Sequence, residues 1–153
     1  MFYIYRQNNS GGYFDNNEKV GQYVIIERDS GFIADEFFET LVEDQSPSCP
    51  CCGWRWESTF DDELKFPITK APYIYTHHKD YENKWKLKYG EFEITEQPSV
   101  VEVFGTKQYR GIVNLNTVED YAQYLVNNGS FNPSVIIYYS NGDKKIISAT
   151  TVN

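Results

Sequence analysis

An Asn-Gly pair at positions 141–142, set between apolar runs at residues 135–140 and 144–148, most narrows what this chain can fold into. Asn-Gly tolerates the positive φ angles of a tight β-turn, and strand-like residues on both sides make it a strong short-range hairpin signal. Antiparallel sheet is therefore required, and other segments agree. Residues 2–6 read as a strand, and residues 20–28 contain Tyr23-Val24-Ile25-Ile26, a second strong strand signal. The polar, glycine-rich stretch Gln7-Asn8-Asn9-Ser10-Gly11-Gly12 lies between them and predicts a hairpin with a long tip. The cleanest alternation is Lys84-Trp85-Lys86-Leu87-Lys88-Tyr89, which sets Trp85, Leu87 and Tyr89 on one face and three lysines on the other. Residues 54–60, 91–95, 99–104 and 109–115 are weaker strand candidates, and Asp61-Asp62-Glu63 reads as a solvated turn.

Two segments carry the helical period instead. In residues 30–43, Ser30 is a suitable N-cap, and Ile33, Phe37 and Leu41 recur at i, i+4, i+8 with Ala34, Phe38 and Val42 beside them. Asp35, Glu36, Glu39, Glu43 and Asp44 form an acidic ridge, read here as a solvated helix face. The second helix starts at Thr117, three residues before Asp120, carries Val118, Tyr121, Ala122 and Leu125 as its stripe, and meets Gly129 as a C′ residue. No repeat, low-complexity tract or linker interrupts the chain. The expected architecture is one α+β domain over residues 1–153, a mainly antiparallel sheet with about two helices packed on it. With 41% hydrophobic and 17% aromatic residues, thirteen of them Tyr, 153 residues suffice for a real core.

Composition also excludes function classes. No stretch approaches the roughly 20 apolar residues a spanning helix needs, so no membrane partner is expected. Residues 1–6 are too short an apolar run for a signal peptide, which makes the cytoplasm the expected compartment. The net charge of −8 is concentrated in residues 1–66, which hold 13 Asp and Glu against 5 Lys and Arg; residues 67–153 hold 9 of each. Such a balance argues against binding a phosphate backbone; it suits a basic protein surface or the imitation of DNA, against the plainer reading of simple solubility. Dinucleotide-binding, phosphate-loop, zinc-protease, serine-hydrolase and calcium-loop motifs are all missing, so the chain leans away from an enzyme.

Three strings could carry chemistry. All three cysteines fall in Cys49-Pro50-Cys51-Cys52-Gly53, followed by Trp54-Arg55-Trp56. Cys49 and Cys52 have the spacing of half a zinc knuckle, and one of His77 and His78, with Cys51 or a carboxylate, would have to complete it, so zinc is the one candidate cofactor. The competing reading is a tight turn of reduced thiols. No βαβ pattern supports redox use of these cysteines, and nothing in the spacing aligns His77 or His78 as a base. In the second string, Arg6, Gln7, Asn8, Asn9, Gly11 and Gly12 offer a guanidinium, amides and close backbone approach. That suits a binding loop, against the plainer reading of a hairpin tip whose Asn side chains satisfy their own backbone. In the third, Lys79, Lys84, Lys86 and Lys88 interleave with Tyr81, Trp85 and Tyr89, but a lysine-guarded half-buried strand already accounts for that pattern.

The opening Tyr5-Arg6-Gln7-Asn8-Asn9-Ser10-Gly11-Gly12 resembles the start of a small protein family carried by tailed bacteriophages. Val24-Ile25-Ile26-Glu27, the acidic helix at 30–43, the Cys49–Trp56 string and the closing strand–turn–strand at 135–148 are similar to pieces that follow in that family. The likeness covers roughly the first 56 residues and the C-terminal hairpin, and does not extend to residues 60–115. It implies a phage origin and action in the cytoplasm of an infected bacterium, and supplies no mechanism. The expected function is that of a non-enzymatic accessory protein that binds and inhibits a host protein, such as a defence or metabolic component. Tyr13, Phe14, Trp54, Arg55 and the Arg6–Gly12 loop are the expected contacts. Two alternatives stay open: sequestration of a small ligand such as a nucleotide signal, and a zinc-knuckle nucleic-acid-binding module. A Tyr-rich sheet edge also leaves room for a homodimer.

Overall fold

A computed structural model describes residues 1–8, 14–43, 55–57, 63–70, 113–127 and 133–148 in full, and the backbone at 73–74, 88–89, 92–93, 99–103, 106–110 and 128. The chain is α+β and groups into two compact units: residues 1–65 with 122–153, and residues 66–121.

The first unit is built on one six-stranded mixed sheet. β1 (Phe2–Gln7) and β2 (Tyr23–Glu27) form the expected long-tipped antiparallel pair, with Tyr3 opposite Ile26 and Tyr5 opposite Val24. β12 (Ser134–Tyr138) and β13 (Lys144–Ser148) form the C-terminal hairpin. At its turn the Gly142 N–H donates to the Tyr139 carbonyl at 3.1 Å, and the Tyr139 N–H to the Asp143 carbonyl at 2.9 Å. Gly142 has φ 95°, a conformation that only glycine adopts without cost. This is a three-residue loop with a glycine bulge, one residue longer than a two-residue Asn-Gly turn.

β12 joins β2 in parallel, Val24 opposite Ile136 and Ile25 opposite Ile137. A sheet buried on both faces reads as continuous apolar runs, and Val24-Ile25-Ile26 and Val135-Ile136-Ile137 are such runs, all at most 1% exposed. The other edge of β1 carries two short strands one after the other, β3 (Trp56–Glu57) against Arg6 and Gln7, and β4 (Glu63–Leu64) against Phe2 and Tyr3. Glu63, expected in a turn, is thus a strand residue.

α1 (Gly31–Val42) lies on one face of this sheet. Ser30 caps it by accepting the Ile33 N–H at 3.3 Å, as the sequence predicts. Its core residues are Ala34, Phe38 and Leu41, packed with Tyr3, Tyr5, Val20, Val24, Ile26 and Trp56. Phe38 stacks on Tyr5 at 4.1 Å between centroids and meets Trp56 edge-on at 4.9 Å. Phe37 is only partly buried, between the Tyr138 ring and the Arg28 guanidinium, and Ile33 is 43% exposed. The buried stripe therefore runs one residue later than the expected Ile33–Phe37–Leu41. Both stripes fit a helical period; the sheet's two tyrosines select the one that stacks Phe38 on Tyr5.

The second unit contains β5 (Ile68–Lys70) paired with β11 (Val113–Leu115), a three-stranded sheet of β6 (Tyr73–Ile74), β10 (Thr106–Arg110) and β9 (Ser99–Val103), and the pair β7 (Lys88–Tyr89) with β8 (Phe92–Glu93). The candidate strand at 109–115 thus splits between β10 and β11. Of the alternating run 84–89, residues 84–87 lie outside the described residues. α2 (Val118–Asn128) begins in this unit, its Asp120 N–H donating to Thr117 Oγ1 at 3.1 Å. Tyr121 and Ala122 of its expected stripe are buried and Leu125 is half-buried; Gly129 lies outside the described residues. No helix among the described residues is long and apolar enough to cross a membrane.

Candidate functional site

The sequence places its contacts at the C-terminal end of β1, and the described part of that region is held together by its own polar groups. Gln7 is 2% exposed. Its Nε2 donates to the Asp15 and Gly21 carbonyls, both at 2.7 Å, and its Oε1 accepts the Asp15 N–H at 2.8 Å. One buried amide at the end of β1 thus fastens two points of the segment that leads into β2. Arg55 is 5% exposed, and its Nε lies 3.3 Å from Asp15 Oδ2. Its carbonyl accepts the Asn8 N–H at 2.8 Å, next to the Gln7–Trp56 pairing of β1 and β3. The flanks of two unusual strings, one beginning at Arg6 and one ending at Trp56, are therefore neighbours across a strand pair. Arg6 is exposed, with Glu57 at 4.0 Å and the Tyr23 ring centroid at 5.7 Å. Phe14 is half-buried.

Asn9, Gly11, Gly12, Tyr13, Trp54, Cys49, Cys51, Cys52, His77 and His78 lie outside the described residues. Among the described residues no group of three or more His, Cys, Asp or Glu is placed to hold a metal ion.

A different surface stands out on α1. Phe32 is 66% and Ile33 43% exposed, in the first turn of a helix whose opposite side is fully packed. At about 100° per residue, Phe32, Glu36, Glu39 and Glu43 fall in one row diametrically opposite Ala34, Phe38 and Leu41. Glu36, Glu39 and Glu43 are all exposed. α1 contains no Lys or Arg, and among the described residues no cation pairs with these three carboxylates.

Tyr5 fixes how this helix sits. Its hydroxyl donates to Asp35 Oδ1 at 2.5 Å. Burial, and then this carboxylate as hydrogen-bond partner, push the phenol well above its usual range. The row of Phe32 and the glutamates is thus presented by a helix pinned to the sheet through stacking and a charge-assisted hydrogen bond.

A family model matches residues 1–152. The chain belongs to the family described as Domain of unknown function (DUF7296). The match runs through both compact units, so the family's domain includes residues 66–121 as well as the six-stranded sheet. No curated protein and no solved structure matches the chain.

Within this family domain, Phe32 and Ile33 are the residues that sequence reasoning missed as a surface. The signal was present: Phe32 falls on the polar side of the helical stripe, in register with Glu36 and Glu39. Reading the stripe from Ile33 instead of Ala34 hid it.

Proposed function

We propose that this protein is a non-enzymatic binding protein, a phage accessory factor that engages and modulates a host protein through the outward face of α1. The phage setting comes from the resemblance of the opening and cysteine strings. The observation that carries the binding reading is Phe32, two-thirds exposed in the first turn of a helix whose opposite side is packed on the sheet. A large aromatic exposed on a rigid element costs little entropy to order against a partner and fills a pocket well. Gln7 and Arg55, by contrast, spend hydrogen-bonding capacity inside the fold, which supports a structural role for them.

The test compares wild type with Phe32→Ser as bait in extracts of a bacterial host. Phe32 is 66% exposed on the side of α1 opposite the core, so the variant is expected to keep its circular dichroism spectrum and its unfolding midpoint. A host protein retained by wild type and depleted at least about tenfold by the variant supports the reading. Identical retained sets overturn it.

A further inference from the structure

We infer that the partner of α1 is an amphipathic protein segment whose Lys or Arg side chains border an apolar strip. This rests on the binding reading above and adds the partner's chemistry. The argument starts from charge placement within the helix. A helix is favoured by acids in its first turn and bases in its last, because its N-terminus is the positive pole. α1 has the reverse bias: no acid in the first turn, no base in the last, Glu39 in the final turn and Glu43 at the C-cap. Glu36 and Glu39 are spaced i, i+3, and Asp35–Glu39 and Glu39–Glu43 i, i+4, the separations at which like charges on a helix repel. Asp35 is offset by the Tyr5 hydroxyl, whereas among the described residues no cation pairs with Glu36, Glu39 or Glu43.

These carboxylates therefore oppose the helix that carries them, and the local rule is broken on the same row that exposes Phe32. A cationic partner removes both penalties at once. Glu36 to Glu43 spans about 10 Å along the axis, the reach of two or three basic side chains on a facing helix. Phe32 at the end of the row, with Ile33 beside it in the same turn, supplies the apolar contact that excludes water and strengthens the charge pairs beside it. Anionic surfaces, such as nucleic acid or an acidic lipid headgroup, are repelled by the same row.

The probe is a synthetic helical peptide of Lys and Leu, with a Glu and Leu peptide of the same pattern as control. Binding is followed by amide chemical shifts in the full-length protein. The Lys/Leu peptide is expected to shift residues 32–43 and to bind about tenfold more weakly when salt rises from about 50 to about 300 mM. The triple variant Glu36→Gln, Glu39→Gln, Glu43→Gln is expected to lose a similar factor while folding as wild type. Equal binding by the triple variant, or by the Glu/Leu peptide, overturns the cationic partner. If that variant still retains the host protein that Phe32→Ser loses, the partner's chemistry is wrong and the binding reading stands. If Phe32→Ser loses nothing, both fall.

Discussion

Gln7 shows how a residue type that suggests recognition can be consumed by architecture. An amide inside a polar string looks like a ligand-binding group, but here its three bonds replace a stretch of sheet ladder that the β1–β2 connection cannot make. Gln7→Leu keeps the volume and removes all three bonds. It leaves the Gly21 carbonyl without a partner in a buried place and the Asp15 N–H and carbonyl without this partner in a partly buried one, and is expected to cost roughly 2–4 kcal/mol. Urea unfolding measures the loss, and hydrogen exchange at the Asp15 amide is expected to accelerate. A change under about 0.5 kcal/mol would mean that water replaces the amide freely. Glu27 behaves similarly at the other end of β2. Its Oε1 accepts the Ser140 N–H and hydroxyl, both at 2.9 Å, and the backbone bond chiefly holds its carboxyl below the usual range. None of these pairings is readable from sequence, because Ser140 and Glu27 meet only once β12 has docked on β2.

At the scale of elements, hairpins, caps and the first helix were legible because they depend on local periods and turn chemistry. Ser30, Thr117 and Gly142 each do what their neighbours in sequence require. The phase of α1 was not legible, since Ile33–Phe37–Leu41 and Ala34–Phe38–Leu41 are equally good stripes until the sheet supplies Tyr5. The exposed row of Phe32 was lost with that phase. The cysteine string tells the opposite story: its spacing was conspicuous in sequence, and its residues lie outside those described. The Tyr5–Asp35 contact gives the helix–sheet joint a pH signature. Tyr5's raised pKa means the folded state holds the phenolic proton more tightly than the unfolded chain does. Its contribution is therefore complete below the usual value of 10.0 and is lost as pH rises above it. Burial raises Tyr3 and Tyr138 in the same sense. Wild type is expected to lose stability steadily above about pH 10, and Tyr5→Phe to show a shallower alkaline slope in unfolding midpoints taken at successive pH values. Equal slopes would mean that Tyr5 ionises in the fold as readily as outside it.

Across the whole molecule, charge and sheet edges govern association. The net charge of −8 favours solubility and biases encounters towards basic surfaces. Among the described residues the sheet ends at β13, where Lys144 and Lys145 are exposed beside an Ile146 that is 54% exposed. Lysines on an outer strand discourage pairing with a second copy. Lys144 has further roles, donating to the Glu18 carbonyl at 2.7 Å and lying over the Tyr138 ring, so Lys145 isolates the effect. Lys145→Ile is expected to raise the dimer and aggregate fraction in light scattering at equal concentration; an unchanged mass distribution would assign no guarding role to this edge.

The parallel seam between β2 and β12 has a consequence for how the chain is made. β2 ends at residue 27 and its neighbour begins at residue 134. A ribosome adding roughly 5–20 residues per second leaves that side of β2 unpaired for several seconds, with Val24, Ile25 and Ile26 in hand and no strand to receive them. The later-synthesised hairpin is thus the keystone of a sheet begun by β1 and β2, and a nascent chain stalled inside residues 66–121 presents an open, sticky strand to whatever chaperone stands at the exit tunnel.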